Sequence, residues 1–235
     1  MQRRSLSVEM SRREWIGGLL FLPLYLFLLG PALQWAWNAV LPAAPTSLQL
    51  NFSYYIVCAA VVAVLFRRFL RGSVRVFRQA PRRTLSAVFA CLGVYLVLSL
   101  GVNFVVTRIM PDFSNQNNDA VISLLDESPV LIGVMAVVLA PLVEETLFRG
   151  LVFGSLRRLN AVLAYAVTAL AFSAIHLIAY LPGLSPLEAL LGALQYVPAT
   201  LVFCALYEYT DTICAPMLLH AAVNLLTCLF WGLRS

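Results

Sequence analysis

Two adjacent carboxylates, Glu144 and Glu145, stand in an apolar stretch that runs from Pro141 to Gly150, and Arg149 follows one helical turn later. An ionised side chain at mid-bilayer costs roughly 2.5–3.5 kcal/mol on insertion scales, so such residues are rare there and are usually paired or functional. Residues four apart share a helix face, which makes Glu145 and Arg149 an ion pair. Glu144 is rotated about 100° from that face and has no local partner. It is the candidate general base or acid. Both histidines of the chain also lie in apolar segments. His176 follows Phe172 by four residues, so the aromatic ring walls the face that carries the imidazole. His220 and Asn224 are again four apart and present two donors for a developing oxyanion. A carboxylate, two imidazoles and a carboxamide from separate helices form a set able to activate water, take its proton and stabilise a tetrahedral intermediate.

These groups have to be positioned by membrane helices. The chain has 235 residues, 61% hydrophobic and only 11% charged, against about 25% charged in soluble domains. The fold class expected is all-α, a polytopic transmembrane bundle of about seven (six to eight) spanning helices. Segments of about 20 apolar residues are read at 15–37, 52–70, 84–106, 129–156, 161–181, 187–208 and 213–232. Pro23 and Pro31 are expected kinks in the first, which neighbouring helices tolerate. The organisation expected is a cytoplasmic segment 1–14, N-terminal helices and loops over 15–124, and a catalytic helical core over 125–232. No cleavable signal peptide is expected, because the first apolar segment is too long for one.

Charge fixes the orientation. All 16 basic residues are arginine. They cluster at 3, 4, 12 and 13, between 67 and 83, and at 157 and 158, while the third connection is acidic (Asp112, Asp119, Asp126, Glu127). The positive-inside rule puts the N-terminus in the cytoplasm and that acidic loop outside. Arginines placed beside apolar segments are explained by topology and not by nucleic acid. The stretch 67–83 is read first as topogenic, with contact to anionic lipid headgroups as the alternative. The five cysteines show no Cys-x-x-Cys spacing and are read as small buried hydrophobes. Gln195 is expected to make an interhelical hydrogen bond, and Glu208 to mark a helix end near water.

Taken in order, Glu144-Glu145-x-x-x-Arg149, Phe172-x-x-x-His176 and His220-x-x-x-Asn224 resemble the motif set of the CPBP intramembrane proteases. This family is also called Abi or type II CAAX prenyl endopeptidase. The resemblance covers roughly residues 125–232 and includes Phe148-Arg149-Gly150. It departs at 202–209, where larger residues stand at positions at which relatives often carry glycine. It implies a helical-bundle hydrolase of peptide bonds in or near the membrane. Glu144 and His176 would activate water, His220 and Asn224 would form the oxyanion hole, and Glu145 with Arg149 would support the site. No cofactor is favoured. Zinc is the alternative, with Glu144, His176 and His220 as its ligands.

The partners implied are a membrane-associated protein or peptide substrate and the lipid bilayer, in a bacterial inner membrane. Two other readings keep the same residues: a non-catalytic scaffold or immunity protein, and a proton-coupled transporter using Glu and His. Depth sets one condition on the site. At 1.5 Å per residue, Glu144 falls in the inner half of the fourth segment and His176 in the outer half of the fifth. Their convergence requires a fourth segment that is tilted, extended or broken near Pro141.

Overall fold

The computed structural model describes residues 6–233, and Arg3 and Arg4 of the N-terminal cluster lie outside them. The described residues form helices joined by short connections, with no strand among them. In chain order these are α1 (Arg12–Val40), α2 (Ser47–Leu65), α3 (Arg67–Gln79), α4 (Pro81–Ile109) and α5 (Gln116–Glu127). They continue with α6 (Pro129–Arg157), α7 (Ala161–Leu177), α8 (Pro186–Thr210) and α9 (Cys214–Gly232). Six of them, α1, α2, α4, α6, α8 and α9, are long and apolar enough to cross a membrane, and α7 is a shorter apolar helix of 17 residues.

Local chemistry sets the boundaries. Ser11 with Glu14, Thr46 with Gln49 and Ser185 with Glu188 form capping boxes at the starts of α1, α2 and α8, each satisfying two backbone groups reciprocally. Asn115 and Asn160 cap α5 and α7. Proline opens α4, α6 and α8, where its missing N–H costs nothing.

Two segments depart from the sequence reading. The span expected at 52–70 ends at Leu65, and Arg67–Gln79 is a separate helix. Phe69 and Leu70 are apolar because they pack inward from that helix, not because the span continues. The acidic third connection contains α5, a helix the hydropathy pattern does not signal because its apolar positions are few.

The helix α6 is the centre of the bundle and packs against α1, α2, α7, α8 and α9, while α4 lies outside against α8 and α9. Lipid offers no hydrophobic drive between helices, so close packing and polar bonds hold them together. Gly150 shows how close: a Cβ there would lie 2.9 Å from the Met10 methyl and 3.0 Å from the Phe69 ring. The lipid-facing side is marked by Phe89, Val97 and Leu100 of α4, all exposed.

Pro141 breaks the ladder of α6. The backbone is π-helical over Met135–Leu139 and again over Glu145–Phe153. The Ala140 N–H reaches back to Met135 O, and Pro141 has no N–H to give. Ala136 O therefore loses both backbone donors, and the Asn224 carboxamide supplies one at 2.7 Å. Such π segments are frequent at functional sites.

Candidate active site

Glu144 is buried at 3% exposure, from the short α-helical turn between the two π segments of α6. Its Oε1 accepts a hydrogen bond from the Tyr55 hydroxyl of α2 at 2.9 Å. Its Oε2 has no hydrogen-bond partner and faces His176 Nε2 at 3.9 Å and His220 Nε2 at 4.0 Å. These separations exceed a hydrogen bond and match the span that one water-sized oxygen bridges. The three groups thus meet from α6, α7 and α9. The depth condition is met by the broken α6 and by an α7 that stops at Leu177, short of the expected 181. His176 consequently reaches Tyr196, ten residues into α8, and stacks on its ring at 4.3 Å.

The two imidazoles are held differently. His176 Nδ1 lies 2.7 Å from Phe172 O. A carbonyl only accepts, so Nδ1 carries the proton and Nε2 presents a lone pair to Glu144. His220 Nδ1 lies 2.8 Å from Glu145 Oε1, which also accepts from Arg149 Nη1 at 3.0 Å. Glu145 and Arg149 are both fully buried. A carboxylate paired with a guanidinium accepts, so Nδ1 of His220 is again the donor.

Phe172 is the hub of the site. Its ring sits 4.1 Å below the Arg149 guanidinium carbon and 4.7 Å from the His176 ring, and it meets Phe148 edge-on at 5.6 Å. Phe203 lies on another side of the guanidinium at 5.1 Å and 5.6 Å from His220. Phe203, one of the large residues in 202–209, thus walls the buried ion pair, a packing that glycine could not provide. Arg149 also donates to Ala199 O at 3.4 Å. Desolvated cation–π contacts of this kind contribute about 2 kcal/mol each.

A cavity of about 400 Å³ opens onto Glu144, both histidines and Asn224. The amphipathic α5 lines it through Asn117, Asn118 and Val121. Gln195 joins helices as expected, donating to Asn103 Oδ1 and accepting from Asn115 Nδ2, each at 2.7 Å. The chain continues to Tyr196, whose hydroxyl donates to Asn115 Oδ1 at 3.3 Å. Glu208 is more than a wet helix end: it pairs with Arg157 and accepts from the Tyr165 hydroxyl at 2.8 Å, tying α6 and α7 to α8. The five cysteines are free thiols.

All six residues singled out in the sequence are brought together. Sequence reasoning missed Tyr55, which no motif marks, and the double duty of Glu145, whose second partner is 75 residues away. Tetrahedral zinc with bonds near 2.0 Å needs donor atoms about 3.3 Å apart. The donors here stand 3.9 and 4.0 Å from Glu144 Oε2, and no cluster of three or more His, Cys, Asp or Glu arranged for a metal occurs among the described residues. These separations are wider than those of a zinc cage.

Residues 126–226, a little under half of the chain, match the family model described as type II CAAX prenyl endopeptidase Rce1-like. No curated protein and no solved structure matches the chain. The matched segment contains Glu144, Glu145, Arg149, Phe172, His176, His220 and Asn224. Together with the apolar spanning helices, it supports an integral membrane protein of the CPBP (Abi) family, a family of intramembrane proteases.

Proposed function

We propose that this protein is an intramembrane endopeptidase of the metal-free, glutamate type, acting on a membrane-associated protein or peptide. The observation that carries the reading is the buried Glu144 Oε2, which has no hydrogen-bond partner and faces the Nε2 atoms of both histidines. A water placed there gives one proton to Glu144 Oε2 and is oriented by the lone pair of His176 Nε2. Its oxygen attacks the scissile carbonyl carbon, and the carbonyl becomes an oxyanion. The proton held on Glu144 then passes to the leaving nitrogen as the C–N bond breaks, leaving a carboxylic acid and an amine. His220 and Asn224 stabilise the oxyanion. With Nδ1 donating to Glu145, His220 donates to the oxyanion from Nε2 only in its doubly protonated form. Asn224 uses one N–H on Ala136 O and keeps a second for substrate.

Tyr55 is a positioning residue. By holding Oε1 it leaves Oε2 as the basic oxygen. The orientation proposed has the N-terminus and α3 at the cytoplasmic face and α5 at the other.

The test is cleavage of a membrane-peptide library by protein purified into detergent or proteoliposomes, with and without chelator. Wild type runs beside Glu144→Ala and Glu145→Ala, and the folding of each is checked. We expect folded Glu144→Ala to lose at least about 100-fold in rate and the chelator to change nothing. Cleavage by Glu144→Ala at the wild-type rate overturns the assignment, and loss on chelation replaces the metal-free mechanism.

A further inference from the structure

The arginine-rich helix α3 takes no part in the site, and its two faces differ. Phe69 and Ser73 are buried against the bundle, while Arg68, Arg71, Arg75 and Arg78 are exposed at steps of three and four, one continuous stripe. At 13 residues the helix is about 20 Å long, too short to span a bilayer, and it lies between the ends of the spans α2 and α4. Arg67 and Arg82 flank the stripe and are exposed as well.

Among the described residues, no carboxylate pairs with this stripe. The acidic groups at this end of the bundle are engaged elsewhere. Both oxygens of Glu14 are used, Oε1 by the N–H groups of Arg68 and Phe69 at 3.0 and 2.9 Å and Oε2 by Ser11. Glu9 pairs with Arg158 at 3.2 Å, Glu208 with Arg157, and Asp211 accepts from the Ser7 backbone N–H at 2.8 Å. Among the described residues, none of Arg67, Arg68, Arg71, Arg75, Arg78 and Arg82 makes an ion pair. Guanidinium groups repel one another along one helix, and the carboxylate at its N-terminus, Glu14, is taken up by the backbone N–H groups of Arg68 and Phe69; the stripe calls for an external anion.

The anchorage of α3 fixes the direction of the stripe. Glu14 of α1 caps its first turn, the Thr212 hydroxyl donates to Ser73 O at 2.8 Å, and the Phe69 ring rests on Gly150. We propose that α3 is an interfacial helix whose arginine stripe docks on anionic phospholipid headgroups. The planar guanidinium binds two phosphate oxygens at once, which suits arginine to this task better than lysine. A membrane leaflet presents such phosphates in a plane, as the stripe requires. A purely topogenic role needs positive charge on this side but no preference for one lipid over another.

The test uses the full-length protein in neutral detergent and does not depend on cleavage. Its thermal midpoint is followed while phosphatidylglycerol, phosphatidylcholine or inorganic phosphate is added. Wild type should be stabilised by phosphatidylglycerol at concentrations at least tenfold lower than by phosphatidylcholine, the preference should shrink as salt rises, and inorganic phosphate should give no shift. Arg68→Gln/Arg71→Gln/Arg75→Gln/Arg78→Gln should lose the preference while keeping the wild-type midpoint in phosphatidylcholine. Should that variant fail to fold, Arg71→Gln/Arg75→Gln and the salt titration of the wild type give the same reading. Equal response to the two lipids, a preference that survives the substitutions or high salt, or a shift reproduced by inorganic phosphate would each overturn the proposal.

Discussion

The helices α4 and α6 are both 29 residues long and both apolar enough to span a membrane, yet they do opposite work. Half of the most apolar stretch of α6 is buried in the bundle, against 6% of that of α4. α4 shows its large side chains to lipid, whereas α6 carries a buried cation, two buried carboxylates and a broken hydrogen-bond ladder. Hydropathy alone therefore separates membrane from water but does not separate scaffold from site. What separates them is whether a helix places charge where no solvent can hydrate it.

Substitutions paired across the two helices can break or sharpen that contrast. The largest effect is expected for Arg149→Met, which strands Glu145 without its cation. Loss of one partner of a buried pair costs about 3–5 kcal/mol, read as a shift in denaturant unfolding in micelles. Arg108→Met at the exposed end of α4, where the guanidinium lies 4.9 Å from the Phe104 ring centre, should stay within about 0.5 kcal/mol. Comparable losses at both positions would dissolve the distinction.

A second pair concerns the cavity wall. Removing the hydroxyl that holds Glu144 Oε1, by Tyr55→Phe, should slow cleavage about 10–100-fold, since a hydrogen bond to a charged group contributes about 1.5–3 kcal/mol. KM should hardly change, while folding stability should fall by about 1–3 kcal/mol because a buried carboxylate oxygen loses its donor. Tyr95→Phe on α4, which lines the same cavity without a hydrogen bond to Glu144, should cleave near the wild-type rate. If the two variants behave alike, Tyr55 does not position the carboxylate.

The smallest effects concern glycine. Gly150→Ala on α6 pushes a methyl against Met10 and Phe69 and should destabilise by about 1–3 kcal/mol. Gly101→Ala on α4 meets nothing within 4 Å and should be neutral or stabilising by up to about 1 kcal/mol. Thermal midpoints of the two variants in one detergent decide it, and a drop at Gly101 would mean that α4 is packed more tightly than described.

Much of this contrast was legible in the chain. The i,i+4 rule is local, so Glu145–Arg149 and the shared face of His220 and Asn224 could be read directly. Contacts between distant segments were not legible. Nothing at position 145 says that its carboxylate also binds an imidazole 75 residues on, and Tyr55 is one tyrosine of nine. The boundary at Leu65 was hidden because Phe69 and Leu70 continue an apolar run while changing helix. Pro141 did announce a break, though not that Asn224 would repair it.

That repair has a mechanical consequence. Lipid rewards no single alignment of one apolar helix along another, so α9 could in principle creep along α6. A slip of one turn, 5.4 Å, would strand the Ala136 carbonyl and part His220 from Glu145 in the same motion. Two polar latches on one helix, His220 and Asn224, thus act as a vernier that registers α9 against α6. Alignment and reactivity then stand or fall together, because a misregistered bundle would also be one without a working site.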